Sequence, residues 1–391
     1  MKQKVFIIFG IIFLIALIAL WVYLFFFYGK DEAPRFTDLG PEGSLDGGVI
    51  IPPTPLEPVV ATTTAARPRL RQLTTKPVIG FMEAGSATTS LSVTFAEAGT
   101  GHIFSVDTLS GSEVRLSNTT VAEANFASFS PSGQIVALRS KNDRRTSPIT
   151  IGRLNPGESN LTTVEIDKQV LDFAVINEGE LMYSHKTSEG IENRVYALTN
   201  SSDRPLFTVP FYETAMRWGT TSSSTHYVYP KPSYLLEGYV YSYRGSVMNR
   251  EPIQGFGLSA LISVAHVSYS SMSNFETESF IYNRLTGTTE RSSLVIIPEK
   301  CTPGLSINTL WCGSEITDLP IEFPDSWYRG QLAFSDTIWE LDLETGSAIA
   351  LVDTLAASGR EIDIINMSKG QSGTALYFIN KNDNTLWMYE L

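Results

Sequence analysis

The stretch Ser335-Asp-Thr-Ile-Trp-Glu-Leu-Asp-Leu-Glu-Thr-Gly346 has the pattern of a β-strand that runs into a tight turn. Trp339, Leu341 and Leu343 alternate with acidic residues, and a period of two places the apolar side chains on one face of a strand. Glycine tolerates the positive φ that many tight turns require. The sequence therefore predicts a strand that ends in a turn at Gly346.

This pattern recurs along the chain. The stretches His102-Ile-Phe-Ser-Val-Asp-Thr-Leu-Ser-Gly111 and Ser279-Phe-Ile-Tyr-Asn-Arg-Leu-Thr-Gly287 align with it, and in each the glycine follows the first aromatic residue by seven positions. With looser copies included, one marker per copy falls at Phe104, Ile151, Tyr196, Tyr241, Phe280, Trp339 and Trp387. A period of about 40–50 residues is typical of a β-propeller with one four-stranded blade per repeat. The seven markers predict an all-β, seven-bladed β-propeller.

The last copy stops after the strand at residues 386–391 and lacks an outer strand. Residues 70–74 resemble the outer strand Val114-Arg-Leu-Ser117 and precede the first full copy. Pairing of these two segments would close the ring and leave only short, protected edges. We therefore expect residues 70–391 to form the propeller, with residues 70–74 completing the last blade.

Short turn motifs also carry a resemblance to a known family. Ser130-Pro-Ser-Gly133, Ser110-Gly111 and the ending Val114-Arg-Leu-Ser117 are similar to TolB-type, WD-repeat-like propeller repeats. Ser132 stands where that family usually has Asp in Phe-Ser-Pro-Asp-Gly. The resemblance implies a propeller fold and, by analogy, a binding scaffold in the cell envelope, although propellers host many activities.

The N-terminus predicts a membrane anchor. Residues 5–28 are 24 uncharged residues rich in Ile, Leu and Phe, and at about 1.5 Å per residue such a helix spans a hydrocarbon core of roughly 30 Å. Lys2 and Lys4 precede this run, so the positive-inside rule places residues 1–4 in the cytoplasm. We expect a single-pass signal-anchor with the propeller on the extracytoplasmic side.

Residues 29–69 form a Pro/Thr-rich linker with too little apolar periodicity to fold alone, so we expect an extended spacer. The net charge of −12 and the lack of a Lys/Arg run argue against nucleic acid as a partner. We expect the partners to be the membrane, through residues 5–28, and a protein or an envelope polymer.

The two cysteines, Cys301 and Cys312, bracket a Pro-Gly turn signal. Outside the cytoplasm such a pair is best explained by a disulfide that closes a hairpin-like loop, and two buried free thiols are the alternative. Two cysteines without nearby histidines supply too few ligands for a metal. We expect neither a metal site nor a cofactor.

The sequence holds no catalytic motif of the Gly-x-Ser-x-Gly, P-loop or Rossmann type, and its four histidines lie far apart. Glu361 and Asp363 lie two apart on a predicted inner strand, where they could act as a carboxylate pair or simply occupy an exposed strand face. We expect no catalytic residues. The alternative is a carbohydrate-active hydrolase or lyase that uses carboxylates at the hub of the ring.

Two aromatic segments are candidate binding sites. Trp327, Tyr328 and Arg329 lie on a predicted loop, where the rings could stack on a sugar or anchor a protein, or could pack down on the blade. Residues 227–243 contain six tyrosines, which could bind a partner or pack within the sheets. The function that we expect is a non-enzymatic binding scaffold, because loops on a rigid fold suit binding.

Overall fold

A computed structural model describes residues 67–84, 91–141, 147–274, 276–315 and 319–391, which belong to one unit of the chain, Ala66–Leu391. The predicted cytoplasmic N-terminus, the predicted membrane span and residues 29–66 of the linker lie outside the described residues. In the described part, no helix is both long enough and apolar enough to cross a bilayer. The membrane anchor therefore stays a prediction.

The described residues form six antiparallel sheets, five of them four-stranded. In the first three four-stranded sheets, the neighbouring strands are consecutive in the sequence. The first contains β2 (Val78–Ala84), β3 (Ser92–Glu97), β4 (Ile103–Asp107) and β5 (Glu113–Arg115), and the second contains β6 (Ala124–Phe129), β7 (Ile135–Ser140), β8 (Ile149–Arg153) and β9 (Thr162–Ile166). The third contains β10 (Val170–Asn177), β11 (Glu180–Thr187), β12 (Gly190–Ala197) and β13 (Ser202–Val209). The all-β character predicted from the sequence is confirmed, and the predicted four-stranded unit is found in five of the six sheets.

A larger sheet follows, made of β14 (Thr214–Arg217), β15 (His226–Pro230), β16 (Glu237–Arg244), β17 (Val247–Ile262), β18 (His266–Ser273), β19 (Glu276–Asn283) and β20 (Thr289–Arg291). The first part of β17 pairs with β16 and the last part pairs with β18, with a register shift between Phe256 and Ser259. Gly257 takes φ +62° at the shift. Apolar residues of β15 and β16 share one buried cluster with residues of β17 and β18.

The next sheet contains β21 (Cys301–Pro303), β22 (Thr309–Ser314), β23 (Thr337–Asp342) and β24 (Ala348–Asp353). Its β21 is preceded by a 3-10 turn, Pro298–Lys300, and a short helix α1 (Asp325–Tyr328) lies between β22 and β23. Helix α2 (Thr354–Ser358) follows β24. Cys301 lies opposite Cys312 in the β21–β22 register and is bonded to it, so the predicted disulfide is confirmed.

The last sheet joins the two ends of this unit. It consists of β25 (Ile364–Lys369), β26 (Ala375–Asn380), β27 (Leu386–Glu390) and, at its edge, β1 (Leu70–Gln72). In the antiparallel register Leu70 lies opposite Tyr389 and Gln72 lies opposite Trp387. This is the pairing that the sequence analysis expects of residues 70–74.

The hydrophobic cores lie between successive sheets. Phe95 of β3 shares a cluster with Tyr377 of β26, and Trp311 of β22 shares another with Phe378 of β26. Along β23, Leu341 and Ile338 are both fully buried but belong to different clusters. The strand is thus apolar on both faces because a sheet packs against each of them.

The predicted turns share one local structure. An Asp or Asn side-chain oxygen accepts hydrogen bonds from two backbone N–H groups that follow it, and a glycine with positive φ comes next. The pairs are Asp107 with Gly111, Asn283 with Gly287 and Asp342 with Gly346, with glycine φ values of +69°, +74° and +70°. The two backbone N–H groups also lower the pKa of Asp342.

Candidate functional site

A cleft of about 830 Å³ lies between β16, with the segments next to it, and helix α1. One wall comes from the segment before β14, the loop between β15 and β16, and β16 itself, and the other wall comes from α1. The residues that line it include Phe211, Tyr212, Lys231, Tyr239, Tyr241, Asp325, Tyr328 and Arg329. Aromatic rings and prolines make most of the lining apolar.

Helix α1 reaches this position through contacts with the β14–β17 part of the chain. The backbone N–H of Tyr234 donates to Oδ2 of Asp325 at 2.8 Å. Pro324 lies close against Gly257, where an added Cβ would come within 3.2 Å of its Cδ. The segment between β22 and β23, which contains α1, is therefore held against a loop of a different sheet.

The structure separates the three residues of the predicted binding loop. Trp327 is 2% exposed, and its Nε1 donates to both carboxylate oxygens of Asp363 at 3.0 and 3.2 Å. Its ring is thus covered, as in the alternative in which it packs down on the blade, and does not line the cleft. Tyr328 is half-buried and Arg329 is exposed, and both line the cleft.

The tyrosine-rich segment also divides between packing and cleft. Tyr229 is fully buried and donates to the carbonyl of Ala260 at 3.2 Å, and Tyr243 stacks on Phe207 with ring centroids 4.1 Å apart. Tyr239 and Tyr241 are half-buried and line the cleft. Because alternate residues of β16 face opposite sides, Tyr239 and Tyr241 share one face.

The charged groups at the rim are paired. Lys231 lies 3.2 Å from Glu213, and Arg329 lies 3.1 Å from Asp325. The hydroxyl of Tyr239 donates to Glu237 at 2.7 Å. Exposed ion pairs contribute little energy, so these contacts shape the rim more than they stabilise it.

Tyr328 connects the cleft to a polar cluster that the sequence analysis did not predict. Its hydroxyl donates to Oε1 of Glu299 at 3.1 Å, and both groups interact electrostatically with Arg217. Burial raises the pKa of Asp172 to about 6, although the charge of Arg217 opposes that shift. Burial, reinforced by Glu299, raises the pKa of Tyr328 well above its usual value.

Arg217 is the cation of this cluster. Burial lowers its pKa, but the nearby Tyr229, Glu299, Tyr328 and Asp172 raise it by more, so the net shift is upward. Its Nε makes no hydrogen bond with any residue that the structure describes. A charged residue inside an apolar strand, such as Asp172 in β10, was the available sequence signal for this cluster.

A second, fully buried cluster lies behind Trp327. Lys300 Nζ is 2.5 Å from Asp336 Oδ2 and 2.5 Å from Asp363 Oδ1, and all three side chains are 0% exposed. Glu361, by contrast, is exposed. Of the two alternatives for these acids, the exposed strand face describes Glu361, whereas Asp363 is enclosed by Lys300, Trp327 and Lys381.

Within the described ranges, no group of three or more His, Cys, Asp or Glu side chains is arranged to hold a metal ion. The candidate functional site is the cleft, with the Asp172–Arg217–Glu299 cluster near Tyr328.

The sequence matches no protein-family profile and no curated protein. Among solved structures, the β-propeller domain of Cps50 (Swd1) from Myceliophteria thermophila has a TM-score of 0.54 and 8% identity, covering 82% of this chain and 99% of that one. An oligogalacturonate lyase in complex with manganese also has a TM-score of 0.54, with 10% identity and coverage of 82% and 93%. The β-propeller domain of the Trilobed protease from Pyrococcus furiosus has a TM-score of 0.48 and 9% identity, covering 81% and 94%.

This chain therefore has a β-propeller fold, and the propeller resemblance predicted from its sequence is confirmed at the level of the fold. At such low identity the similarity concerns the fold alone, since one fold hosts many functions.

Proposed function

We propose that this protein is a membrane-anchored, extracytoplasmic propeller that acts as a non-enzymatic binding scaffold for a protein or a cell-envelope polymer. The observation that carries the proposal is the cleft, in which Tyr239, Tyr241 and Tyr328 surround an apolar space. Tyrosine rings give a large contact area at a low cost in side-chain entropy and often dominate binding energy. Because the charged groups at the rim already have partners within the chain, we expect the tyrosine rings to supply most of the binding affinity.

Seven blades fit the strand pairing best. Counting β17 as the outer strand of one blade and the inner strand of the next turns the seven-stranded sheet into two four-stranded blades. The buried cluster between the β15–β16 and β17–β18 strands supports this division. With the five four-stranded sheets, the total is then seven.

The membrane anchor rests on residues 5–28, whose length and apolar composition suit a bilayer span. In this proposal residues 29–69 hold the propeller off the membrane surface. The disulfide between Cys301 and Cys312 fits an oxidising, extracytoplasmic setting.

One observation favours a carbohydrate-active enzyme as the second candidate. Asp172 and Glu299 lie in the same cluster, and the raised pKa of Asp172, about 6, is that of a carboxyl group able to donate a proton near neutral pH. Two carboxyl groups in different environments are the usual acid and base of a glycosidase.

Cross-linking of the full-length chain in its native membrane tests the scaffold. A variant with Tyr239→Ala and Tyr241→Ala is expected to capture at least about tenfold less of a defined partner than the wild type, because hot-spot rings contribute about 2 kcal/mol each. Leu285→Ala is the matched control, since Leu285 is 84% exposed and outside the cleft lining. Equal capture by both variants would contradict the proposal.

Turnover of a polysaccharide panel tests the second candidate. Turnover by the wild type that disappears in both Asp172→Asn and Glu299→Gln would favour the enzyme and overturn the non-enzymatic scaffold. Absence of turnover together with cleft-dependent capture supports the scaffold.

A further inference from the structure

The buried cluster of Lys300, Asp336 and Asp363 has the composition of a reactive site. The ammonium nitrogen of Lys300 lies 2.5 Å from an oxygen of each carboxyl group, so one amine contacts two potential acyl groups through their oxygens. All three side chains are 0% exposed. Neither the cleft nor the proposed binding function uses these groups.

Aromatic rings keep the cluster dry. Lys300 Nζ is 4.6 Å from the ring centre of Phe334 and 5.5 Å from that of Trp327, and these rings are 5% and 2% exposed. Buried ions are costly even when paired, because their hydration is lost. A reaction that turns the ammonium and the carboxyl groups into neutral products removes that cost.

The two carboxyl groups are not equivalent. Asp363 accepts hydrogen bonds from Trp327 Nε1 and lies 3.7 Å from Lys381 Nζ, so it has two polar neighbours besides Lys300. Burial raises the pKa of Asp336 to about 6, despite the opposing charge of Lys300. Asp336 is therefore suited to be the neutral acyl group, and Asp363 is suited to be the base.

Hydrogen bonding also distinguishes the two oxygens of Asp336. Oδ2 accepts from the backbone N–H of Ile364 at 2.7 Å, whereas Oδ1 accepts no hydrogen bond from any residue in the described part of the chain. The N–H of Ile364 would stabilise negative charge that develops on Oδ2. Oδ1 is then the oxygen that is free to leave.

We propose that Lys300 and Asp336 become joined by an amide bond between Nζ and Cγ, with Asp363 as the proton-transfer group. Asp363 takes a proton from the Lys300 ammonium, and the free amine attacks Cγ of the protonated Asp336 carboxyl group. Asp363 then gives its proton to the departing hydroxyl and takes the second proton from nitrogen. The C–Oδ1 bond breaks, one water leaves, and Asp363 ends protonated, so atoms and charges balance without another reactant.

The bond would tie together two segments that are 36 residues apart in the sequence. The closed loop contains the Cys301–Cys312 disulfide and helix α1, which forms one wall of the cleft. A covalent link here restricts the unfolded chain and holds the segment between β22 and β23 in place. The proposal does not depend on what the cleft binds.

Intact mass spectrometry of the full-length protein tests the proposal. After the disulfide is reduced, we expect a mass about 18 Da below the sequence value, corresponding to one lost water. Proteolysis should release a branched peptide that joins Lys300 to Asp336. The branched peptide distinguishes the amide from loss of water within a single aspartate.

The matched variants are Asp363→Asn and Asp383→Asn. The first removes the proton-transfer group but keeps both reacting residues, so its full sequence mass is expected. The second changes a half-buried aspartate that is paired with Arg360 and lies outside the cluster, and it should keep the mass deficit. A folded wild-type protein with the full sequence mass, or a branch from Lys300 to Asp363, would overturn the proposal even if Asp363→Asn does not fold.

Discussion

The carboxyl group of Asp172 shows how one residue links the polar cluster to stability. Burial raises its pKa from an ordinary 3.8 to about 6 in the folded protein. A group with a raised folded-state pKa contributes stability that is fully present below its unfolded value and is lost as pH rises through the folded value. Its contribution should therefore disappear between about pH 4 and pH 6.

Asp172→Asn removes this titration. Because the variant no longer carries a buried charge at neutral pH, we expect it to be more stable than the wild type at pH 7, by at most about 3 kcal/mol for a shift of about two pH units. Asp336, whose free carboxyl group also has a pKa raised to about 6, is the same in both proteins and so does not affect the difference between them. Urea unfolding at pH 4, 5, 6 and 7 measures the difference, and an unchanged pH dependence would contradict this account.

Trp327 is a second residue whose role depends on one polar contact. Trp327→Phe keeps an aromatic ring in the core but removes the Nε1 donor to Asp363. We expect a loss of about 1–3 kcal/mol, since the variant leaves a buried carboxyl oxygen without one of its hydrogen-bond donors. Tyr328→Phe, which removes a contact with the half-buried Glu299, is the control for general repacking. Equal urea midpoints for Trp327→Phe and the wild type would show that the contact contributes nothing.

At the scale of elements, the repeated turns offer a matched pair of substitutions. Gly287 and Gly346 both have φ near +70°, where an alanine costs about 1–2 kcal/mol. An added Cβ meets no atom within 4 Å at Gly287, but at Gly346 it would lie 2.2 Å from the carbonyl oxygen of Arg291. Gly346→Ala should therefore lower the free energy of unfolding clearly more than Gly287→Ala. Equal losses in urea unfolding would contradict the packing of this turn.

The strand and turn units were predictable because their determinants are local. Period-two alternation and an Asp or Asn ahead of a glycine lie within about ten residues, as at Asp342 and Gly346. The continuous strand β17 was not predicted. It does explain why the spacing from Tyr241 to Phe280, 39 residues, is the shortest between repeat markers, since no loop separates its two pairing halves.

The site was less predictable because its parts meet only in the folded chain. Tyr328 and Arg329 were recognised as candidates from sequence, and the structure places them beside Tyr239 and Tyr241. Nothing near Trp327 in the sequence indicates that Asp363 would cover its indole nitrogen. The Asp172–Arg217–Glu299 cluster likewise draws on separate sheets and a turn, so no short motif reveals it.

At the scale of the whole molecule, the ring is closed by β1 on β27. Leu70 is 5% exposed and packs in a cluster with Trp387 and Tyr389. We expect Leu70→Ala to cost about 2–5 kcal/mol and to speed hydrogen exchange in β27 more than in β12. Leu285→Ala, at an exposed turn, is the control that should change neither. If hydrogen exchange in β27 were no faster in Leu70→Ala than in the wild type, the closure would have no stabilising role.

The central claim is that the cleft between β16 and α1 is where a partner binds. A photo-reactive amino acid at position 329, on the cleft, is compared with one at position 285, outside its lining, in the full chain in its native cells. The account predicts a discrete cross-linked adduct from position 329 that is lost when Tyr239 and Tyr241 are changed to Ala, and none from position 285. Equal adducts from both positions, or an adduct that persists without the two tyrosines, would contradict it.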